Sequence, residues 1–347
     1  MRVKAVVLEG VGDVCLRDIE VAGTAEPGDN EVRIAIKTVG ICGSDVHYYQ
    51  HGRIGDFVVK EPMILGHEAA GVVSAVGAKV AHLKVGDRVC MEPGIPDFSS
   101  RETLGGHYNL DPSVRFWATP PIHGCLTPEV VHPAALTYRL PDNVSFAEGA
   151  MVEPLAIGVY AAFKAAVRPG DVAVVAGAGT IGMMVAFAAL AAGCAKVIVS
   201  DVATAKLDIL ADRPGVVTVD LNREKLADVV AEHTNGQGAD LFFEASGSPR
   251  AFDDLMEVVG RGGRVVLVGM PHDRVALDVV ALEIKEISVT GIFRYANVWE
   301  RTLALLGSGK IDLKPLISAT YPFEQSVAAF QRAAQQNSSD VKIQIAF

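Results

Sequence analysis

Basic clusters, long apolar runs and paired cysteines are all scarce in this sequence, and each scarcity closes off a class of function. Lysine and arginine number 31 against 41 aspartates and glutamates, a formal net charge of -10 with no basic run to offset it. A chain of that sign is repelled by a phosphate backbone, so nucleic acid is not an expected partner. The opening MRVKAVVLEG reaches a glutamate before any long apolar region, so it reads as neither a signal peptide nor a membrane span. The apolar run after Gly182 follows a glycine loop and is rich in alanine, as a buried helix would be. A soluble, cytoplasmic protein without a membrane partner is expected. The five cysteines, Cys15, Cys42, Cys90, Cys125 and Cys194, are odd in number and unpaired by spacing, which suits a reducing compartment rather than a disulfide framework.

What is present is apolar residue in quantity. At 347 residues and 50% hydrophobic composition, the chain exceeds the size at which a single core usually stops growing, so two domains are expected. From about Asp171 short β-branched runs alternate with helical segments. Strands are read at Val172 (VAVVA), Lys196 (KVIVS), Val216 (VVTV), Asp240 (DLFFEAS) and Arg264 (RVVLV), with helices beginning near Gly179, Thr204, Arg223 and Pro249. Strands apolar on both faces and separated by helices predict an α/β domain with a doubly wound parallel sheet. The first 150 residues, glycine-rich with short alternating strands such as EVRIAIKTVG, predict a compact, mostly β domain. VRPGD, ending at Asp171, is turn punctuation between the two, and after about Gly291 the alternation stops.

GAGTIG, Gly177 to Gly182, matches G-x-G-x-x-G between a strand and an apolar helix, the context in which that pattern binds a dinucleotide. Gly177 would make the tight turn, Gly179 would admit the pyrophosphate and Gly182 would let helix and strand pack. Thr180 and Ile181 lie in the same helix start, whose unpaired amides suit phosphate. The second strand ends at Asp201, 24 residues after Gly177. A carboxylate there accepts from the ribose hydroxyls and repels a 2′-phosphate, favouring NAD over NADP; an ordinary helix N-cap is the alternative. Lys206 either touches the ribose or is a solvated helix charge.

GHEAAGVVSAVG, Gly66 to Gly77, sets His67 and Glu68 side by side among small and aliphatic residues. A metal site or a turn would each explain them. Some 24 residues upstream stands GICGSDVHYYQHGRIGDF. Together with the nucleotide motif and with NLDPSVRFWATPP, LPDNVSFAEGAMVEPLAIGV and IFRYANVW, these stretches make the chain resemble the zinc-dependent medium-chain dehydrogenases over essentially its whole length. The resemblance is nearest to their polyol-oxidising branch, the sorbitol and xylitol dehydrogenases.

That resemblance implies a GroES-like catalytic domain at residues 1–155 and 292–347 and a Rossmann NAD-binding domain at 156–291. It implies Cys42, His67, Glu68 and Glu153 as the matches to the catalytic zinc ligands, with Glu153 bound either directly or through water. One zinc per chain is expected, because Asp97, Ser100, Thr103 and Asp111 stand where many relatives carry the four cysteines of a structural zinc, and oxygen donors alone suit zinc poorly. Ser44 and His47 match the proton-relay positions, and histidine titrates in the useful range. Tyr48, Glu153, Arg294 and Tyr295 match the groups that contact a polyol, and Val268, Gly269, Met270, Ile292, Phe293 and Arg294 would line the nicotinamide. The implied activity is that of an NAD-dependent polyol dehydrogenase of the L-iditol 2-dehydrogenase or D-xylulose reductase type, passing hydride from a zinc-bound alkoxide to NAD and yielding a ketose. The alternatives are a zinc dehydrogenase of a simple or threonine-like alcohol and a non-enzymatic dinucleotide-binding relative. Relatives pair through the region around VALDVVALEIKEISVTGI, from Val275, so the resemblance implies a homotetramer; a core strand is the other reading of that stretch.

Overall fold

A computed structural model describes residues 2–21 and 26–347. The chain forms two compact units, Met1–Glu153 with Asp312–Phe347, and Pro154–Ile311. The segment 292–311, expected with the first unit, therefore lies in the second.

In the first unit the strand Glu31–Gly40 is central. It pairs antiparallel with Glu68–Val76, with Glu129–Pro133 and with the chain's last strand, Lys342–Ala346. Arg88–Met91 and Thr137–Arg139 extend that sheet on one side and Ile317–Pro322 on the other. A smaller sheet pairs Arg2–Gly10 with Asp13–Glu20 and Met63–Ile64. Alternation decides which residues enter the core: Val32, Ile34 and Ile36 are buried along one face of EVRIAIKTVG, and they pack with Val6, Leu8, Ile64, Leu65, Phe330 and Ile345. Two motif glycines are required by close approach. A Cβ on Gly71 would lie 2.4 Å from the Ala35 carbonyl oxygen, and one on Gly77 would lie 2.0 Å from that of Gly28.

The second unit carries a six-stranded sheet whose neighbouring strands run parallel. Across it the order is Val216–Asp220, Lys196–Asp201, Val172–Ala176, Ala239–Glu244, Val259–Leu267 and Ser288–Gly291. The order reverses between Val172–Ala176 and Ala239–Glu244, the place where open α/β sheets bind ligands beyond the strand ends. Both faces are covered, as the continuous apolar runs require: the consecutive pairs Val174 and Val175, Val197 and Ile198, and Phe242 and Phe243 are all buried. Helix Thr180–Ala192 is buried from Gly182 to Ala189, and helix Val152–Lys164 approaches it at Gly158, where a Cβ would meet the Met184 carbonyl oxygen at 2.4 Å. The sequence from Val275 becomes a helix, Val279–Lys285, and the edge strand Ser288–Gly291. No helix among the described residues is long and apolar enough to cross a membrane.

Candidate active site

Strand register brings the first three candidate ligands together. Gly40 lies opposite Glu68, so Cys42, two residues beyond the end of the central strand, meets His67 and Glu68 at the start of the next one. Thiol, imidazole and carboxylate ligand atoms all lie within 4.8 Å of one another. A Cβ on Gly40 would fall 2.1 Å from Glu68 Oε2, so a side chain there would displace that carboxylate.

Asp45, which sequence reasoning passed over, fixes this geometry. It is wholly buried on helix Gly43–His51 and accepts from the backbone amides of Cys42 at 3.0 Å and Gly66 at 2.9 Å. Its Oδ2 stands 3.9 Å from His67 Nδ1, which has no hydrogen-bond partner among the described residues. An acidic residue in the first turn of a helix is a recognisable capping signal, so Asp45 was legible as a cap though not as an organiser of ligands. Lys342 was not legible. It lies 274 residues from Glu68, yet its Nζ sits 2.7 Å from both Glu68 carboxylate oxygens, with the two side chains 2% and 1% exposed.

The charges explain the titration of the site. Burial depresses the His67 imidazole, but Cys42, Asp45 and Glu153 overcome it and raise its pKa from 6.5 to about 10. Burial likewise opposes the Lys342 ammonium, and Glu68, Cys42 and Glu153 hold it above its ordinary value. The cluster is thus rich in negative charge and draws cations to itself; a divalent ion fits it in charge and in donor chemistry, since sulfur, imidazole nitrogen and carboxylate oxygen are ordinary zinc ligands. Glu153, in the first turn of helix Val152–Lys164 and 4% exposed, is near enough to act on His67 but stands outside the group of three. Ser44 and His47 are half-buried on helix Gly43–His51, with the His47 and His51 rings 4.6 Å apart, and Tyr48 is buried on the same helix.

Glu92 is a third missed residue. It is 1% exposed and accepts from the hydroxyls of Tyr108 at 2.8 Å and Tyr138 at 3.2 Å. Burial, helped by the charge of Glu153 and opposed by the two hydroxyls, lifts its pKa from 4.5 to about 7. The four oxygen-bearing positions of the nearby lobe are joined by hydrogen bonds: Asp111 Oδ2 accepts from the Asp97 amide at 2.6 Å, and Ser100 Oγ donates to Thr103 Oγ1 at 2.9 Å.

In the second unit each motif glycine has a distinct reason. Gly177 has φ +104° and a Cβ there would meet Ser246 at 2.9 Å; at Gly182 it would meet the Gly177 carbonyl oxygen at 1.8 Å; at Gly179 it would meet nothing within 4 Å, leaving the backbone open to a ligand. Thr180 and Ile181 begin helix Thr180–Ala192. Asp201 ends its strand and accepts from the amides of Ala178 at 2.6 Å and Ala203 at 2.8 Å, so it also anchors the glycine loop. Lys206 is half-buried on helix Thr204–Asp208. Val268 and Gly269 donate to the Glu244 carbonyl oxygen at 2.8 Å, Met270 is exposed, and the amide of Ile292 donates to Leu267. Arg294 has φ +52° and its guanidinium lies 4.7 Å from the Phe293 ring centre, while Tyr295 is buried with its ring 5.4 Å from that of Trp299.

A mainly β unit with a thiol, imidazole and carboxylate centre, and a doubly wound unit with a glycine loop, define a metal-dependent dinucleotide dehydrogenase. Comparison with known families agrees: residues 28–142 match the alcohol dehydrogenase GroES-like domain and residues 180–308 the zinc-binding dehydrogenase domain. The chain belongs to the zinc-binding alcohol dehydrogenase family. It is 55% identical to the D-xylulose reductase of Morganella morganii over 336 residues, 96% of this chain and 98% of that protein. It is 41% identical to the sorbitol dehydrogenase of Gallus gallus over 329 residues, 94% of this chain and 92% of the relative. Among solved structures it resembles 2R,3R-butanediol dehydrogenase from Bacillus subtilis, with a TM-score of 0.89 at 30% identity and 99% of each chain covered.

Proposed function

We propose that this chain is a zinc- and NAD-dependent polyol dehydrogenase that oxidises a secondary hydroxyl of a sugar alcohol such as xylitol or sorbitol to the ketose. The observation that carries the reading is the convergence of Cys42, His67 and Glu68 ligand atoms within 4.8 Å, in a chain whose full-length relatives include a D-xylulose reductase and a sorbitol dehydrogenase. Zinc, when bound, supplies the Lewis acidity that lets a hydroxyl lose its proton near neutral pH.

The chain's own residues do the rest. Asp45 holds the backbone on either side of the ligand set, and Lys342 offsets the Glu68 charge. Glu153 contributes negative charge to the centre and either binds the metal or acts through water. Ser44 and His47 take the hydroxyl proton toward solvent. Tyr48, Glu153, Arg294 and Tyr295 give the remaining polyol hydroxyls polar partners, each of which matters once water is expelled. Gly177, Gly179, Gly182 and the residues around them would hold NAD, with Asp201 on the ribose and Val268 to Met270 and Ile292 to Arg294 on the nicotinamide side; the cofactor would supply the hydride acceptor, so that polyol and NAD would yield ketose, NADH and a proton.

The lobe of Asp97, Ser100, Thr103 and Asp111 holds itself by hydrogen bonds, so a single zinc serves each chain. The edge strand Ser288–Gly291 and the exposed Val279, Val280 and Ile284 beside it, 60%, 62% and 64% accessible, support self-association into a homotetramer, since an open edge flanked by apolar residues is a pairing surface. The free cysteines suit a cytoplasmic enzyme. The test is a panel of four- to six-carbon polyols with NAD or NADP, followed by NADH absorbance. Turnover of xylitol or sorbitol with NAD and weak turnover of simple alcohols is expected; preference for ethanol or threonine would overturn the substrate assignment.

A further inference from the structure

Glu244 ends the fourth strand of the doubly wound sheet, beside the point where the strand order reverses. It is completely buried. Its Oε1 accepts three donors, the Ser246 amide at 2.8 Å, the Ser246 hydroxyl at 2.6 Å and the Gly247 amide at 2.9 Å. Oε1 is thereby fully engaged as an acceptor. Its Oε2 is buried and has no hydrogen-bond partner among the described residues.

Three loops meet around this side chain. Ser246 packs against Gly177, where a Cβ would lie 2.9 Å away. Gly247 has φ +66° and lies against the backbone of Met270. Oε2 lies under Gly269, where a Cβ would come within 2.4 Å of it, so any side chain at that position is excluded. Glu244 thus underlies both the glycine loop and the segment from Val268 to Met270, at the crevice where a dinucleotide bends over the strand ends. Ordinary loop anchoring would be served by Oε1 alone; a second, unneutralised oxygen at the centre of a ligand-binding crevice is costly to keep.

We propose that Glu244 is a positioning residue of the cofactor site whose buried negative charge favours the oxidised, positively charged nicotinamide over the neutral reduced ring. This rests on the reading above that the second unit holds NAD. A unit charge acting across about 10 Å at an effective dielectric near 20 changes relative affinity on the order of tenfold.

The experiment is titration of zinc-loaded protein with NAD by calorimetry and with NADH by fluorescence, giving the ratio of the two dissociation constants. In Glu244→Gln the oxidised form should lose about tenfold relative to the reduced form, with the melting temperature recording that the protein is folded. Glu244→Ser, which leaves room for water to serve the same donors, is the second neutral variant should the first fail to fold. Ser246→Ala disturbs the same loop and keeps the charge, so it should weaken both forms equally. Equal weakening, or none, in the neutral variants would overturn the proposal while leaving the cofactor assignment intact. Failure of the unaltered protein to bind either form would overturn both.

Discussion

Replacing Lys342 by Met should unbalance the centre of the first unit. The ammonium lies 2.7 Å from both oxygens of Glu68 and 3.2 Å from the Ile41 carbonyl oxygen, and neither charged side chain is more than 2% exposed. Methionine fills similar space without charge, leaving the carboxylate in a low-dielectric interior beside Glu153 and Asp45. Removing one partner of such a pair costs about 3 to 5 kcal/mol, whereas replacing both by uncharged groups is often close to neutral. For a unit of this size, about 2 to 4 °C per kcal/mol gives a fall in Tm of roughly 6 to 20 °C. The assay is scanning calorimetry of metal-stripped protein for Lys342→Met, Glu68→Gln and the double variant. The double variant should melt well above Lys342→Met, and added zinc should recover part of the single variant's loss by supplying positive charge beside Glu68. A single variant as stable as the unaltered protein, or a double variant no better than the single, would refute the reasoning.

Two further outcomes follow from named residues. Because the folded protein holds the Glu92 carboxyl at a pKa of about 7 against an ordinary 4.5, it binds more protons than the unfolded chain between those values. Stability from this group is complete below pH 4.5 and is lost as pH rises toward 7, a change of about 3 kcal/mol; Glu92→Gln should flatten that slope in denaturant titrations across the window, and an unchanged slope would remove Glu92 as its source. Asp201→Ala removes the charge that repels a 2′-phosphate and should lower the NAD to NADP ratio of kcat/KM on the order of tenfold, measured by cofactor titration at fixed polyol; an unaltered ratio would place ribose recognition elsewhere.

The second unit was largely legible because its strands are apolar on both faces and its helices occupy the intervals. VAVVA and KVIVS lie where the pattern puts them, and the helix expected near Gly179 begins at Thr180. Its end was not legible. Helix Trp299–Gly307 buries Trp299, Thr302, Leu303 and Leu306 at helical spacing, but an amphipathic stripe does not say which core receives it, and 292–311 was expected in the wrong unit. The grouping of Cys42, His67 and Glu68 was visible through its motif, whose glycines are tightly enclosed: a Cβ on Gly66 would meet Leu126 at 2.7 Å and one on Gly71 the Ala35 carbonyl oxygen at 2.4 Å. Lys342 was invisible because the pairing that carries it to Glu68 is between strands at opposite ends of the chain. No local signal marks a lysine in KIQIA as the partner of a carboxylate so far away.

The most direct test of the central claim is zinc content per chain, by mass spectrometry, in the unaltered protein and in Cys42→Ser, with xylitol-dependent NADH formation read from the same preparations. About one zinc per chain and steady NADH production are expected of the first, with both falling sharply in the second. Unaltered protein that oxidises xylitol without zinc, or Cys42→Ser retaining metal and activity alike, would contradict the account.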